Sequence, residues 1–145
     1  MATTETRVLR VSRSFDASPD RVFDAWLDPA TASKWLFATP TGKMVRLEID
    51  ARPGGNFVIV ERRDGEDVEH RGEYVELDRP SRIVFTFAVP KYSPLMTRVE
   101  LGLVPAGSGC ELTLTHEGVL EEWTSSTEEG WRGILDGLAS SLAAR

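Results

Sequence analysis

His70, His116, Arg13 and the Asp50/Arg52 pair are the residues of this chain whose types and placement suit acid–base or ligand-anchoring chemistry. Three of them interrupt apolar alternation. Arg13 shares a strand face with Leu9, Val11 and Phe15, His116 with Cys110, Leu112 and Leu114, and His70 with Gly72 and Tyr74. A polar group on such a face needs a partner, reaches water at a strand end or bulge, or punctuates a ligand cavity. Exposure or a bulge is the expectation, because each lies toward a strand end or in a mixed strand. Asp50 and Arg52 are two residues apart and project together, opposite Leu47, Ile49 and Ala51, beside a turn made by Pro53, Gly54 and Gly55. The expected role of this corner is structural, with the charges paired across it.

Other chemistries lack their parts. His70 and His116 have no short-range His or Cys partner at ligand spacing, so no metal is expected, and no cofactor. Gly107-Ser108-Gly109 lies in a hairpin turn followed by a strand and lacks the third glycine of a dinucleotide fingerprint. There is no Gly-x-Ser-x-Gly elbow, and Cys110 has no cationic neighbour to activate its thiol. A histidine acting alone also lacks an orienting partner, which leaves enzyme chemistry as an alternative resting on His116, Arg13 and the Asp50/Arg52 pair.

The elements that position these residues follow from periodicity. Val8 to Ala17 alternates and ends at Ser18-Pro19-Asp20, an N-cap, a first-position proline and a first-turn acid, and the stripe Val22, Phe23, Trp26 and Leu27 predicts a helix. Asp28-Pro29 repeats the signal for a second short helix ending near Trp35, Leu36 and Phe37, before a break at Pro40-Thr41-Gly42. Strands are predicted over 44–50, 55–63, 67–77, 82–89, 96–104 and 109–116, joined by short turns that imply antiparallel hairpins, with Pro90 to Pro94 in one of the longer connections. Residues 117–126 read as an acidic loop carrying Glu121, Glu122 and Trp123. A long helix follows, with Ser125 to Thr127 able to cap its start and Glu128 and Glu129 complementing its dipole. Its apolar stripe is Trp131, Ile134, Leu135, Leu138 and Leu142. Gly130, Gly133 and Gly137 form a second stripe, for which close packing against the sheet is the expected reason and space for a ligand the alternative.

Bulk properties narrow the function. A chain of 145 residues, 41% apolar and 28% charged, suits one folded domain over residues 1–145. The net charge of −6 with no Lys/Arg cluster argues against nucleic acid and anionic membranes as partners. The single cysteine, the absence of an apolar leader and the lack of any apolar run near the ~18 residues of a span predict a cytoplasmic protein without membrane insertion.

Several local sequences, in order, carry a resemblance. Arg13-Ser14-Phe15-Asp16-Ala17-Ser18-Pro19, Asp28-Pro29 with Trp35, Asp50 to Phe57, Gly72-Glu73-Tyr74, Leu112 to His116 and Gly130-Trp131 resemble the START-like superfamily, and within it the family related to the activator of the Hsp90 ATPase. The resemblance spans nearly the whole chain and corresponds to the C-terminal-type domain of the eukaryotic activator. It implies an α+β helix-grip fold: a seven-stranded curved antiparallel sheet, two short helices, and a long C-terminal helix across the concave face. It also implies a pocket for a small apolar, lipid-like or aromatic ligand between that helix and the sheet. Trp35, Phe57, Tyr74, Phe85, Phe87, Leu101, Leu112, Trp131, Ile134 and Leu138 would supply its wall, with His70 and His116 as its polar groups. Two alternatives are a chaperone partner, with Glu121-Glu122-Trp123 as the contact feature, and a cyclase- or hydrolase-like activity in the same cavity.

Overall fold

The computed structural model describes residues 6–39, 41–92 and 95–143; Pro40 and Pro94 of the expected breaks, and the residues before Thr6, lie outside them. The elements are β1 (Thr6–Phe15), α1 (Pro19–Leu27), α2 (Pro29–Ala32), β2 (Lys43–Ile49), β3 (Asn56–Arg63), β4 (Glu66–Asp78), β5 (Arg82–Phe87), β6 (Thr97–Ala106), β7 (Gly109–Leu120), a 3-10 turn (Glu121–Trp123) and α3 (Thr124–Ala143). All strands join one curved antiparallel sheet in the order β1-β7-β6-β5-β4-β3-β2. This is the expected helix-grip architecture.

Local chemistry explains the helical start. The Ser18 side chain accepts from Arg21 N at 3.2 Å, and Pro19 occupies the first helical position, where no N–H is needed. Asp28 caps α2 by accepting from Ala30 N and Thr31 Oγ1. Val22, Phe23, Ala25 and Trp26 of α1 are buried. The inner sheet face contributes Val11, Phe15, Phe57, Ile59, Phe85, Leu101, Leu112 and Leu114, packed with Trp131, Leu135 and Leu138 of α3. Arg79, in the β4–β5 connection, forks onto Asp24 at 2.8 Å through two nitrogens and so ties that turn to α1.

Four expectations need correction. Residues 117–120 are strand: β7 stays paired with β1 as far as Thr6↔Leu120, so ladder hydrogen bonds claim the backbone that charge had suggested was loop. The helix then grows out of the 3-10 turn at Thr124, whose Oγ1 donates to Glu121 O at 2.9 Å. Ser125 and Thr127 are therefore inside α3 and cap nothing, and Glu128 and Glu129 lie beyond its first turn, Glu128 pairing with Arg132. Both histidines are buried, His70 at 5% and His116 at 3% exposure, because the concave face is roofed by α3 and the segment after α2. Finally, close packing explains only Gly137, where a Cβ would sit 3.5 Å from Trp35 Cβ; a Cβ at Gly130 or Gly133 meets nothing within 4 Å.

Candidate functional site

The open space at Gly130 and Gly133 belongs to a cleft of about 510 Å³ between the N-terminal half of α3 and one end of the sheet. The segment after α2 supplies Phe37, Ala38 and Thr39; β3 supplies Arg63, β4 His70, the end of β5 Phe87, and the chain after it Val89. Helix α3 closes it with Ser126, Thr127, Glu129, Trp131 and Ile134. An adjoining, mostly apolar pocket of about 150 Å³ shares Phe87, Val89 and Thr127 with the cleft and runs past His116 to Trp123 and Tyr92. Those two rings approach to 6.4 Å between centroids. A third space of about 10 Å³, lined by Trp26, Phe37, Phe57, Tyr74, Ile83 and Phe85, has room for about one water.

The sequence-derived wall divides among these spaces. His70, Phe87, Trp131 and Ile134 line the cleft, and His116 lines the adjoining pocket with Phe87. Phe57, Tyr74 and Phe85 reach only the smallest space. Trp35, Leu101, Leu112 and Leu138 are buried core and line none of the three, because α3 seats its C-terminal half directly on the sheet there. Phe37, Thr39, Arg63, Thr127 and Glu129 were not anticipated as wall. Phe37 and Thr39 sit in a connection and Arg63 at a strand end, where neither period-2 nor period-3.6 patterning assigns a face, while Thr127 and Glu129 are polar positions of α3 off its apolar stripe. The open alternative for the glycine stripe was the one signal pointing to this part of the helix.

One side of the cleft is built from parallel rings. Phe37 stacks on His70 at 4.5 Å and 3°, and on Phe87 at 5.1 Å and 15°. His70 Nδ1 lies 3.2 Å from Ile59 O. A carbonyl can only accept, so Nδ1–H donates to Ile59 O. Burial, followed by the Arg63 charge, pulls the His70 pKa down to about 4, with the backbone hydrogen bonds to Ile59 and Val68 and the Glu61 charge opposing, so the ring is neutral at pH 7. Arg63 itself is held from below. Its Nε donates to Glu61, which is only 1% exposed, and its Nη2 donates to Phe37 O at 3.3 Å. Glu61 also accepts from Thr39 N and Thr39 Oγ1, so a buried carboxylate with several donors fixes the connection that carries Phe37.

His116 has the partners that sequence could not identify. Trp131 Nε1–H donates to His116 Nδ1 at 3.0 Å, which leaves the imidazole proton on Nε2, 2.7 Å from Thr97 Oγ1. The Thr97 hydroxyl in turn donates to Phe87 O at 2.9 Å. Every polar hydrogen in this chain of bonds has an acceptor, and both ring nitrogens are used. Burial lowers the His116 pKa to about 4. Among the described residues, the buried indole N–H groups of Trp26 and Trp35 have no oxygen or nitrogen partner. These two rings meet edge to face at 4.8 Å and 86°, a geometry in which an indole N–H can point at the neighbouring ring.

The remaining candidates lie away from the cleft. Arg52 Nε donates to both Asp50 carboxylate oxygens at 3.0 and 2.9 Å, on the surface. Gly54 takes φ 87°, Gly54 N donates to Tyr74 O, and a Cβ on Gly55 would sit 2.2 Å from Asp50 O, so the turn geometry itself requires glycine. Half-buried Arg13 packs on α3, donating to Leu135 O and pairing with Asp136 at 3.3 Å. Cys110 is buried, and burial raises its pKa, the opposite of an activated thiol. Among the described residues no group of three or more His, Cys, Asp and Glu is arranged to hold a metal ion.

A sheet gripping a C-terminal helix, with a cleft under that helix's N-terminal half, defines a START-like domain. Residues 16–143 match the family described as activator of Hsp90 ATPase homolog 1-like protein, and the chain belongs to that family. Among solved structures, protein CV1439 from Chromobacterium violaceum is 29% identical, with 92% of this chain and 94% of that one covered and a TM-score of 0.82. Protein Mll3558 from Rhizobium loti is 28% identical over 97% of this chain and 99% of its own, with a TM-score of 0.79. SA2116 from Staphylococcus aureus, at 16% identity, TM-score 0.86 and coverage of 97% and 95%, shares the fold. No match is found among proteins of curated function.

Proposed function

We propose that the protein binds a small apolar or aromatic molecule in the cleft beneath the N-terminal half of α3. The observation that carries this reading is the unfilled space of about 510 Å³ against an aromatic wall, where Gly130 and Gly133 withhold side chains. That size lies within the roughly 300–1,000 Å³ of small-molecule sites, and a few polar groups set into apolar lining is their usual composition. Among the described residues no helix is long and apolar enough to cross a membrane, and the reading takes the protein to act in the cytoplasm, as its single cysteine favours. Native mass spectrometry of the purified protein, followed by thermal unfolding across lipids and aromatics, tests it. A retained small molecule, or a saturable rise in Tm by a few degrees, is expected. No retained mass and no stabilisation anywhere in the panel would overturn it.

A second reading, contact with an Hsp90-type chaperone, is favoured by one feature besides the family itself. Tyr92, Leu95 and Trp123 expose apolar surface together at the mouth of the smaller pocket. Addition of the protein to a bacterial Hsp90 should then raise its ATPase rate, and an unchanged rate removes the reading. Acid–base catalysis gains no comparable support, since both nitrogens of His116 are committed to Trp131 and Thr97.

A further inference from the structure

We propose that the cleft and the adjoining pocket form one site for an amphiphilic amine, an apolar ring or short chain carrying an ammonium group, with the apolar part in the pocket and the ammonium at Glu129. The inference rests on the ligand-binding reading above and specifies its chemistry. Phe87, Val89 and Thr127 line both spaces, so a single molecule can occupy the two together. The pocket suits hydrocarbon. Its walls include Ala88, Val119 and Leu120, and its polar side chains Thr97 and His116 are already bonded to each other, to Phe87 O and to the Trp131 indole. At about 150 Å³ it matches the size at which an apolar cavity takes a benzene ring.

Charge decides the other end. The charged side chains of the cleft wall are Arg63 and Glu129, its His70 being neutral at pH 7. Arg63 is compensated by the buried carboxylate of Glu61, to which its Nε donates, and its Nη2 donates to Phe37 O. Glu129 is exposed, and among the described residues no hydrogen bond or ion pair holds its carboxylate; Arg132 pairs with the neighbouring Glu128 instead. The uncompensated charge of the wall is therefore negative, as is the chain's net −6. An ammonium gains a partner at Glu129 and stays in contact with water at the helix surface, so it escapes the cost of burying a charge. A carboxylate or phosphate would meet a neutralised cation and an opposing anion.

Three probes on one frame separate these terms: 6-phenylhexylamine, 6-phenylhexanol and 6-phenylhexanoate, of which the amine and the acid are both charged at pH 7.5. Binding to the full chain is read from tryptophan fluorescence, Trp123 lining the pocket and Trp131 the cleft, and from the shift in Tm. The amine is expected to bind about threefold tighter than the alcohol, the step that an exposed ion pair supplies, and the acid most weakly. That advantage should shrink at about 0.5 M salt and vanish in Glu129→Gln. It should persist in Glu128→Gln, which removes the same charge from a residue outside the cleft wall. In the unmodified protein, nuclear Overhauser effects should link the phenyl protons to the Val119 and Leu120 side chains, a readout that does not depend on a variant folding. Equal binding of amine and alcohol, tightest binding of the acid, or an amine advantage that survives Glu129→Gln overturns the charge assignment while leaving a ligand site in place. Phenyl contacts confined to Phe37 and Ile134 overturn the joining of the two spaces. If none of the three probes binds, the proposal falls, and the ligand-binding reading falls with it only when its own panel of lipids and aromatics also fails to stabilise the protein.

Discussion

At the scale of single residues, the two histidines carry different lessons from the same burial. His116 is a joint: indole N–H to Nδ1, Nε2–H to the Thr97 hydroxyl, and that hydroxyl to Phe87 O. Replacing it by Phe leaves the Trp131 indole N–H without an acceptor in the interior, at a cost of about 1–3 kcal/mol in urea unfolding. If Trp131→Phe is added, the loss from His116→Phe should shrink, because the orphaned donor is then gone; equal losses in both backgrounds would show that the bond contributes nothing. The sequence placed His116 on an inner face by its spacing from Leu112 and Leu114 but gave it no partner. Its cross-strand neighbours are Leu9 and Val99, and Thr97 becomes reachable only through the β6–β7 register and Trp131 only through helix placement. Neither is local information.

At the scale of elements, α3 behaves as two half-helices. Its C-terminal half is core, with Leu135 and Leu138 fully buried, while its N-terminal half stands over the cleft. Gly130→Ala and Gly133→Ala should each stabilise the protein by about 0.5–1 kcal/mol, since the helix gains propensity and the new methyl meets no atom. The same methyls intrude on the cleft, so ligand-induced stabilisation should fall; unchanged or reduced unfolding free energy would refute the first half of that expectation. Gly72 of β4 is the opposite case. A Cβ there would lie 1.8 Å from Thr86 O and 2.7 Å from Phe57 Cε2, so Gly72→Ala should destabilise by roughly 2–4 kcal/mol, measured in the same way. Strands were legible because alternation marks a half-buried sheet. The end of β7 was not, since Glu117 and Gly118 next to the acidic Glu121 and Glu122 resemble a loop until pairing with β1 is known. The walls contributed by Phe37 and Arg63 stayed hidden because they come from a connection and a strand terminus.

At the scale of the whole molecule, both histidines tie stability to pH. Each is neutral when folded, with a pKa lowered from 6.5 to about 4, chiefly by burial. Between those values the unfolded chain binds more protons than the folded one, so stability is fully present above about pH 6.5 and is lost as pH falls toward about 4. The full extent is roughly 3 kcal/mol per histidine at about 1.4 kcal/mol per unit. Asp24, Glu48 and Asp67, whose pKa values are held down by Arg79, Arg46 and Arg62, add losses of the same sign further into acid. Urea unfolding at pH 7.5, 6 and 5 should show the decline, and a His70→Phe/His116→Phe double variant should flatten it; an unaltered slope would assign the decline to other groups. Phe37 extends the picture from energies to rates. Its ring lines both the cleft and the small space beside Trp26, and its backbone sits at φ 56°, a left-handed conformation that costs a bulky residue about 1–3 kcal/mol. Releasing that torsion would lift the ring from His70 and join the two spaces. A molecule confined to the outer cleft would then associate in proportion to its concentration, whereas one long enough to reach the Trp26 indole would level off at the rate at which that one backbone torsion is released.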